Sequence, residues 1–206
     1  MIRSLLIAAC VAAALWHFGQ AGSVQAKAWL GQVLLERAWA GTEPEHPARK
    51  PWPGAVSHPV ARLHVPELGI DRLVLHGADT PVLAWGPGME TGPGGHRLIA
   101  AHRDTHFRFL EHIETGHRLH LEQPDGHVEH WEVVDRAVVD ARTTVLDMGL
   151  DADLLTLVTC YPFDAPTAGG PLRLVVSLER EAGDGRRETG LGTRDSETRN
   201  RLPLRP

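Results

Sequence analysis

Leu154-Leu155-Thr156-Leu157-Val158-Thr159-Cys160 is a short apolar run in strand-favouring residues, and Tyr161-Pro162-Phe163-Asp164 closes it with turn chemistry. Two similar runs accompany it. Arg97-Leu98-Ile99-Ala100-Ala101 leads into His102-Arg103-Asp104-Thr105, and Leu172-Arg173-Leu174-Val175-Val176 carries an arginine where an apolar side chain would pack better. A Cys, a His and an Arg therefore stand at or near the ends of three apolar strands, which is an active-site pattern. Cys160 is the only cysteine beyond Cys10, so no disulfide within the folded part gives it a structural task.

Further strands extend the pattern on both sides. Ala61 to Val65 alternates and ends at Pro66-Glu67-Leu68-Gly69; Ile70 to Leu75 follows and closes at His76-Gly77-Ala78-Asp79. Val82 to Trp85 reads as a helical turn facing Gly86-Pro87-Gly88, and Phe107 to Ile113 as a short helix or turn. Arg118 to Leu121 and Gly126 to Val134 are joined by Pro124-Asp125-Gly126, where glycine tolerates the positive φ of a tight hairpin. Val138 and Val139 end a further strand. With seven or eight strands and little helix between them, the chain is mainly β and predicts a closed or nearly closed barrel rather than a crossover sheet.

The 206 residues allow one domain of ordinary size once the termini are set aside. A net charge of −5, with no run of basic residues longer than two, argues against nucleic-acid binding. Residues 1–20 are expected to be a transmembrane signal anchor or a signal peptide. The apolar stretch from Leu5 to Phe18 is about fourteen residues, short against the roughly 20 that span a bilayer. The lack of a clean Ala-x-Ala after it favours a retained anchor. Arg3 on the cytoplasmic side would leave the rest of the chain outside the cytoplasm. Cys10 would then be lipid-facing or packed. Residues 21–40 carry apolar positions at helical spacing and predict an amphipathic helix, with Trp29 and Trp39 either at a membrane interface or against the barrel. Five prolines in 41–59 predict a stiff linker, and 180–206 has almost nothing to bury and predicts a disordered tail.

A thiolate stabilised by a nearby cation attacks a carbonyl to give a thioacyl intermediate. A histidine protonates the departing amine and then deprotonates the incoming nucleophile. An arginine, always charged, donates hydrogen bonds to the developing oxyanion. Each part has a bland reading: a cysteine at a strand end is usually a small buried hydrophobe, an arginine there a salt bridge, and His102 is one of 13 histidines. The case gains force from their convergence. Metal binding through His117, His120, His127 and His130 is a further option, of uncertain geometry on strands and a hairpin.

At these residues the chain closely resembles the sortases, membrane-anchored cysteine transpeptidases of bacteria. Thr156-Leu157-Val158-Thr159-Cys160 matches the family's Thr-Leu-x-Thr-Cys signature. Ile99 to Thr105 with Phe107-Arg108-Phe109-Leu110 is similar to its histidine motif, and Gly170 to Val176 to its arginine strand. The resemblance covers roughly 60–179 and implies an eight-stranded sortase-type β-barrel with short helices. It implies Cys160 as nucleophile, His102 as acid and base, and Arg173 as carbonyl or oxyanion clamp. Thr159 is implied to orient substrate, and Asp104 and Thr105 to support the histidine loop, unless Asp104 pairs with Arg103. Ala101 stands where relatives commonly have glycine, a small change expected to keep the backbone path. The implied substrate is a protein with a Leu-Pro-x-Thr-Gly-like sorting signal, cut between Thr and Gly and transferred to an amine acceptor. No cofactor and no metal are implied. The histidine-rich barrel, single N-terminal anchor and short tail look most similar to the sortases of Gram-negative bacteria, a likeness that implies a catalytic domain at the periplasmic face of the inner membrane. A hydrolytic cysteine peptidase and a non-catalytic envelope peptide-binding barrel are the alternatives.

Overall fold

The computed structural model describes residues 2–42, 49–149, 151–167, 169–181 and 204–205. Ten strands occur among them: β1 (Pro59–Val65), β2 (Ile70–His76), β3 (Gly88–Thr91), β4 (Arg97–Ala100), β5 (Arg118–Glu122), β6 (Val128–Asp140), β7 (Val145–Leu146), β8 (Leu154–Cys160), β9 (Leu172–Arg180) and β10 (Leu204–Arg205). Eight of them close a barrel in the order β1-β2-β3-β4-β8-β9-β6-β5, with β5 returning to β1, while β7 and β10 pair apart from it. The expected barrel is therefore present. Two of its pairs are parallel, β2 with β3 and β4 with β8, so crossovers do contribute.

Alternation builds the wall. In β1, Ala61, Leu63 and Val65 are buried while Arg62 and His64 between them are partly exposed. Leu119, Leu121, Trp131, Leu155, Leu157, Leu174, Val176 and Leu178 complete the interior from the other strands, each such side chain contributing about 1.5–3 kcal/mol by burial. The β5–β6 hairpin turns where Gly126 takes φ of 80°, with the Gln123 N–H donating to His127 O (2.7 Å) and the Gly126 N–H to Gln123 O (2.9 Å). The strand expected to end at Val134 and the one expected near Val138 are a single element. Val133 pairs with Leu178 and Asp135 with Ser177, leaving Val134 as a bulge. Phe107, Phe109, Leu110 and Ile113, around a 3-10 turn over Arg108–Glu111, join the core cluster and tie the loop after β4 to it.

The N-terminal membrane or amphipathic segment is corrected by the structure. Residues 2–40 are one continuous helix, α1 (Ile2–Ala40), without a break between expected anchor and expected amphipathic stretch. Among the described residues no helix is long and apolar enough to cross a membrane, so the single-pass anchor, the membrane partner and the periplasmic placement are not supported. The physical reason lies in the apolar run, about fourteen residues against the roughly 20 required. Nor do the apolar side chains share one face: Trp29 and Leu30 are 68% and 50% exposed, whereas Leu35 and Ala38 are buried. Cys10 is exposed.

The last turns of α1 dock on the barrel. Leu35 packs with Leu73, Leu75 and Val82, and Trp39, Trp52 and Trp85 close around them. Gly31 is required there, because a Cβ at this position would lie 2.3 Å from Trp85 Cζ3. The Gln32 amide donates to Trp85 O (2.8 Å), and Arg62 bridges Glu36 (3.0 Å) and Asp71 (2.7 Å). In the expected linker, residues 43–48 lie outside the described residues, Trp52 and Ala55 are packed, and Pro59 already belongs to β1. Of the expected tail, residues 182–203 and 206 lie outside the described residues.

Candidate active site

Cys160 ends β8 and pairs with Arg173 on β9, so their side chains leave the same face of the sheet. On β8, Leu155 and Leu157 point into the core, which sends Thr156, Val158 and Cys160 to the outer face. The parallel neighbour β4 is registered Ala100 to Val158, and the ladder runs on through the Ala101 N–H, which donates to Val158 O (3.3 Å). His102 is the next residue. The Thr159 hydroxyl, buried, donates to Ala101 O (2.8 Å) and fastens the residue before Cys160 to the residue before His102. The topology thus gathers Cys160, His102 and Arg173 at the ends of three adjacent strands.

Their environments differ. Cys160 and Arg173 are partly exposed and His102 is exposed. Arg173 Nη1 donates to Gly170 O (2.6 Å) and Leu172 O (2.9 Å), carbonyls of the β8–β9 connection and the start of β9. The loop carrying His102 is closed by its own backbone, with the Phe107 N–H donating to His102 O (3.1 Å). Ala101 is buried in the core, which fits the small side chain expected there. Thr105 is exposed and lies along a groove on the far flank of this loop, together with Gln32, Glu36, Asp71, Arg72, Leu73 and His106. That groove has a volume of about 420 Å³, and neither Cys160 nor Arg173 lines it.

Two arginines missed in the sequence hold the site together. Arg103 is only 5% exposed; its Nε and Nη2 grip the Asp104 carboxylate (2.6 and 3.0 Å), Nη1 donates to Pro162 O (2.5 Å) and Nη2 to Ala165 O (3.1 Å). Arg108 Nη1 donates to Phe163 O (2.9 Å), and its guanidinium lies 5.9 Å from the Phe163 ring centroid. Hydrogen bonding to Asp104 holds Arg103 above the ordinary arginine range, and the same bond holds Asp104 below the usual carboxylate value. Burial pushes the His106 imidazole down. Both lie in the runs that resemble the histidine motif, but only the adjacency of Arg103 and Asp104 hinted at a task for either.

A profile of the family described as "Sortase domain" matches residues 63–181, more than half of the 206-residue chain. Sortase D of Bacillus subtilis (strain 168) is 28% identical over 124 residues, covering 57% of this chain and 62% of its own length. The chain thus spans about three-fifths of that curated relative. Among solved structures, a lid mutant of sortase A from Corynebacterium diphtheriae is 26% identical, with a TM-score of 0.52 over 64% of this chain and 74% of its own. Another structure of sortase A from Corynebacterium diphtheriae, 23% identical, has the same fold, with a TM-score of 0.52 over 79% of this chain and 85% of its own. These relatives come from Gram-positive bacteria, which corrects the expected likeness to sortases of Gram-negative bacteria. Histidine content and a presumed anchor were poor guides to subgroup, since neither bears on the barrel that the relatives share. With the family's domain matched over more than half of its length and an eight-stranded closed barrel over the same residues, this chain belongs to the sortase family.

Proposed function

We propose that this protein is a cysteine transpeptidase that cuts a Leu-Pro-x-Thr-Gly-like sorting signal between Thr and Gly and passes the acyl group to an amine. The observation that carries the reading is the β8–β9 register opposing Cys160 to Arg173, with His102 one residue beyond the Thr159–Ala101 bond. The Cys160 thiolate adds to the threonine carbonyl carbon, and the carbonyl electrons move onto oxygen. Arg173, released from the Gly170 and Leu172 carbonyls, donates to that oxygen. Collapse of the adduct breaks the Thr–Gly bond, and the imidazolium of His102 gives its proton to the departing glycine amine. The thioester then meets the acceptor; His102, now neutral, takes the proton that the amine sheds as the new amide forms and the thiolate is regenerated. Thr159 sets the backbone beside the nucleophile, and Asp104 and Thr105 belong to the loop that presents His102.

Water competes for the same thioester, because His102 is exposed and Cys160 is partly so. Incubating the protein with a Leu-Pro-x-Thr-Gly-like peptide, with and without a graded amine, and weighing the products separates the outcomes. Transfer product rising with amine at the expense of free acid supports the transpeptidase. Free acid alone at every amine concentration replaces it with a hydrolytic peptidase, and no cleavage leaves a peptide-binding barrel.

A further inference from the structure

The turn that leaves Cys160 is held from the histidine loop by one side chain. Arg103 follows His102 directly, is buried, and spends four donor contacts on three partners: the Asp104 carboxylate, Pro162 O and Ala165 O. Pro162 and Ala165 flank the turn just after the thiol, so this guanidinium fixes where that turn sits relative to His102. Thr159 makes the matching link on the other side of Cys160, through Ala101 O. The planar fork of arginine reaches two carbonyls and a carboxylate at once, which a lysine ammonium cannot do.

We propose that Arg103 is a positioning residue for acyl transfer: it locks the 161–165 turn to the histidine loop, keeping the Cys160 sulfur and the His102 imidazole in register, and lends the sulfur a positive field. The inference rests on reading Cys160 as the nucleophile. The charged and titratable groups on the segments that adjoin Cys160 are His102, Arg103 and Asp104 in the histidine loop, Arg108 in the 3-10 turn, Tyr161 and Asp164 in the following turn, and Arg173 opposite Cys160 on β9. Arg103 feels both Cys160 and Asp164 electrostatically. Asp104 tempers the guanidinium, so removing one or the other should move the sulfur in opposite directions.

The test measures two things in full-length protein carrying Cys10→Ser, so that Cys160 is the sole thiol: the pH midpoint of Cys160 alkylation by iodoacetamide, and kcat and KM for peptide transfer. Arg103→Gln is expected to raise the midpoint and to lower kcat at least about tenfold, with KM changing less than about threefold. Asp104→Asn is expected to lower the midpoint. Arg103→Lys is expected to keep the midpoint while kcat falls, because charge is restored and the two carbonyl contacts are not. If Arg103→Gln fails to fold, Arg103→Lys and Asp104→Asn decide the matter. Wild-type midpoints and kcat in the folded Arg103 variants overturn the proposal, as does an upward shift in Asp104→Asn, the mark of general loosening. The alkylation midpoint needs no substrate. A wild-type protein that transfers nothing, yet shows the opposed midpoint shifts, overturns the transpeptidase reading and leaves Arg103 as the residue that sets the thiol.

Discussion

At the scale of single residues, the proposed function depends on a few hydrogen bonds around a strand end. Thr159→Val removes the donor to Ala101 O while keeping shape. The carbonyl left unpaired costs about 1–3 kcal/mol, read as a lower urea midpoint, and transfer should slow because His102 loses its neighbouring tether. Arg173→Ala should lower kcat by about 10²–10³-fold with an unchanged melting temperature, since its partners are loop carbonyls that water can replace. His96 supplies a pH dependence of stability. It is buried against the Thr156 hydroxyl (2.8 Å), and burial holds its imidazole below the ordinary value of 6.5, opposed by Asp151 and Asp147. The unfolded chain therefore binds the proton first, and stability that is complete above about pH 6.5 falls as pH drops below it. Thermal melts across that range should show a shallower acid-side loss in His96→Gln than in wild type; parallel curves would remove His96 from this role. Cys160, His102 and Arg173 stand out in the sequence as candidates because each interrupts or ends an apolar run. Arg103 does not, since burial of an arginine is decided by backbone carbonyls about sixty positions away.

At the scale of elements, alternation named most of the wall, and its exceptions mark where a local pattern and the fold diverge. Gly88-Met89-Glu90-Thr91 is too short and too polar to announce β3, which forms because β4 offers it a full antiparallel partner. β6 looked like two strands because the bulge at Val134 breaks the period of two, a tertiary event that the sequence records only as a lost rhythm. The N-terminal helix was misjudged in the other direction. Its apolar content suggested lipid, whereas its ordered contacts are with Leu73, Leu75, Val82 and Trp85. Gly31→Leu tests that docking: the added side chain collides with the Trp85 ring and should cost about 1–3 kcal/mol. Hydrogen exchange should rise over residues 31–40 while the barrel strands keep their protection. Unchanged exchange there would mean that α1 does not rely on this contact.

At the scale of the whole molecule, closure of the barrel brings strands distant in sequence into one site, and one buried cluster spans that closure away from Cys160. Glu129 on β6 pairs with Arg97 on β4 (2.6 Å) and Arg180 on β9 (3.1 Å), and both guanidiniums stack on Trp131, at 4.9 and 4.6 Å from its centroid. Glu129→Gln strips two partly buried cations of their shared carboxylate and should cost about 3 kcal/mol of stability in urea, with kcat per folded molecule unchanged. The barrel class was legible from the count of strands and the scarcity of helix; its order was not, because the parallel β4–β8 pair depends on a crossover that no local pattern reports. That pair also brings the strand end before His102 next to β8, which carries Cys160, and the proposed chemistry requires one covalent species. Protein quenched in acid during turnover of a Leu-Pro-x-Thr-Gly-like peptide, then digested and mapped by mass, should carry the peptide through its threonine as a thioester on Cys160. The adduct should be lost in Cys160→Ala together with all cleavage. Cleavage that persists in Cys160→Ala, or an acyl group found on any other residue, would contradict it.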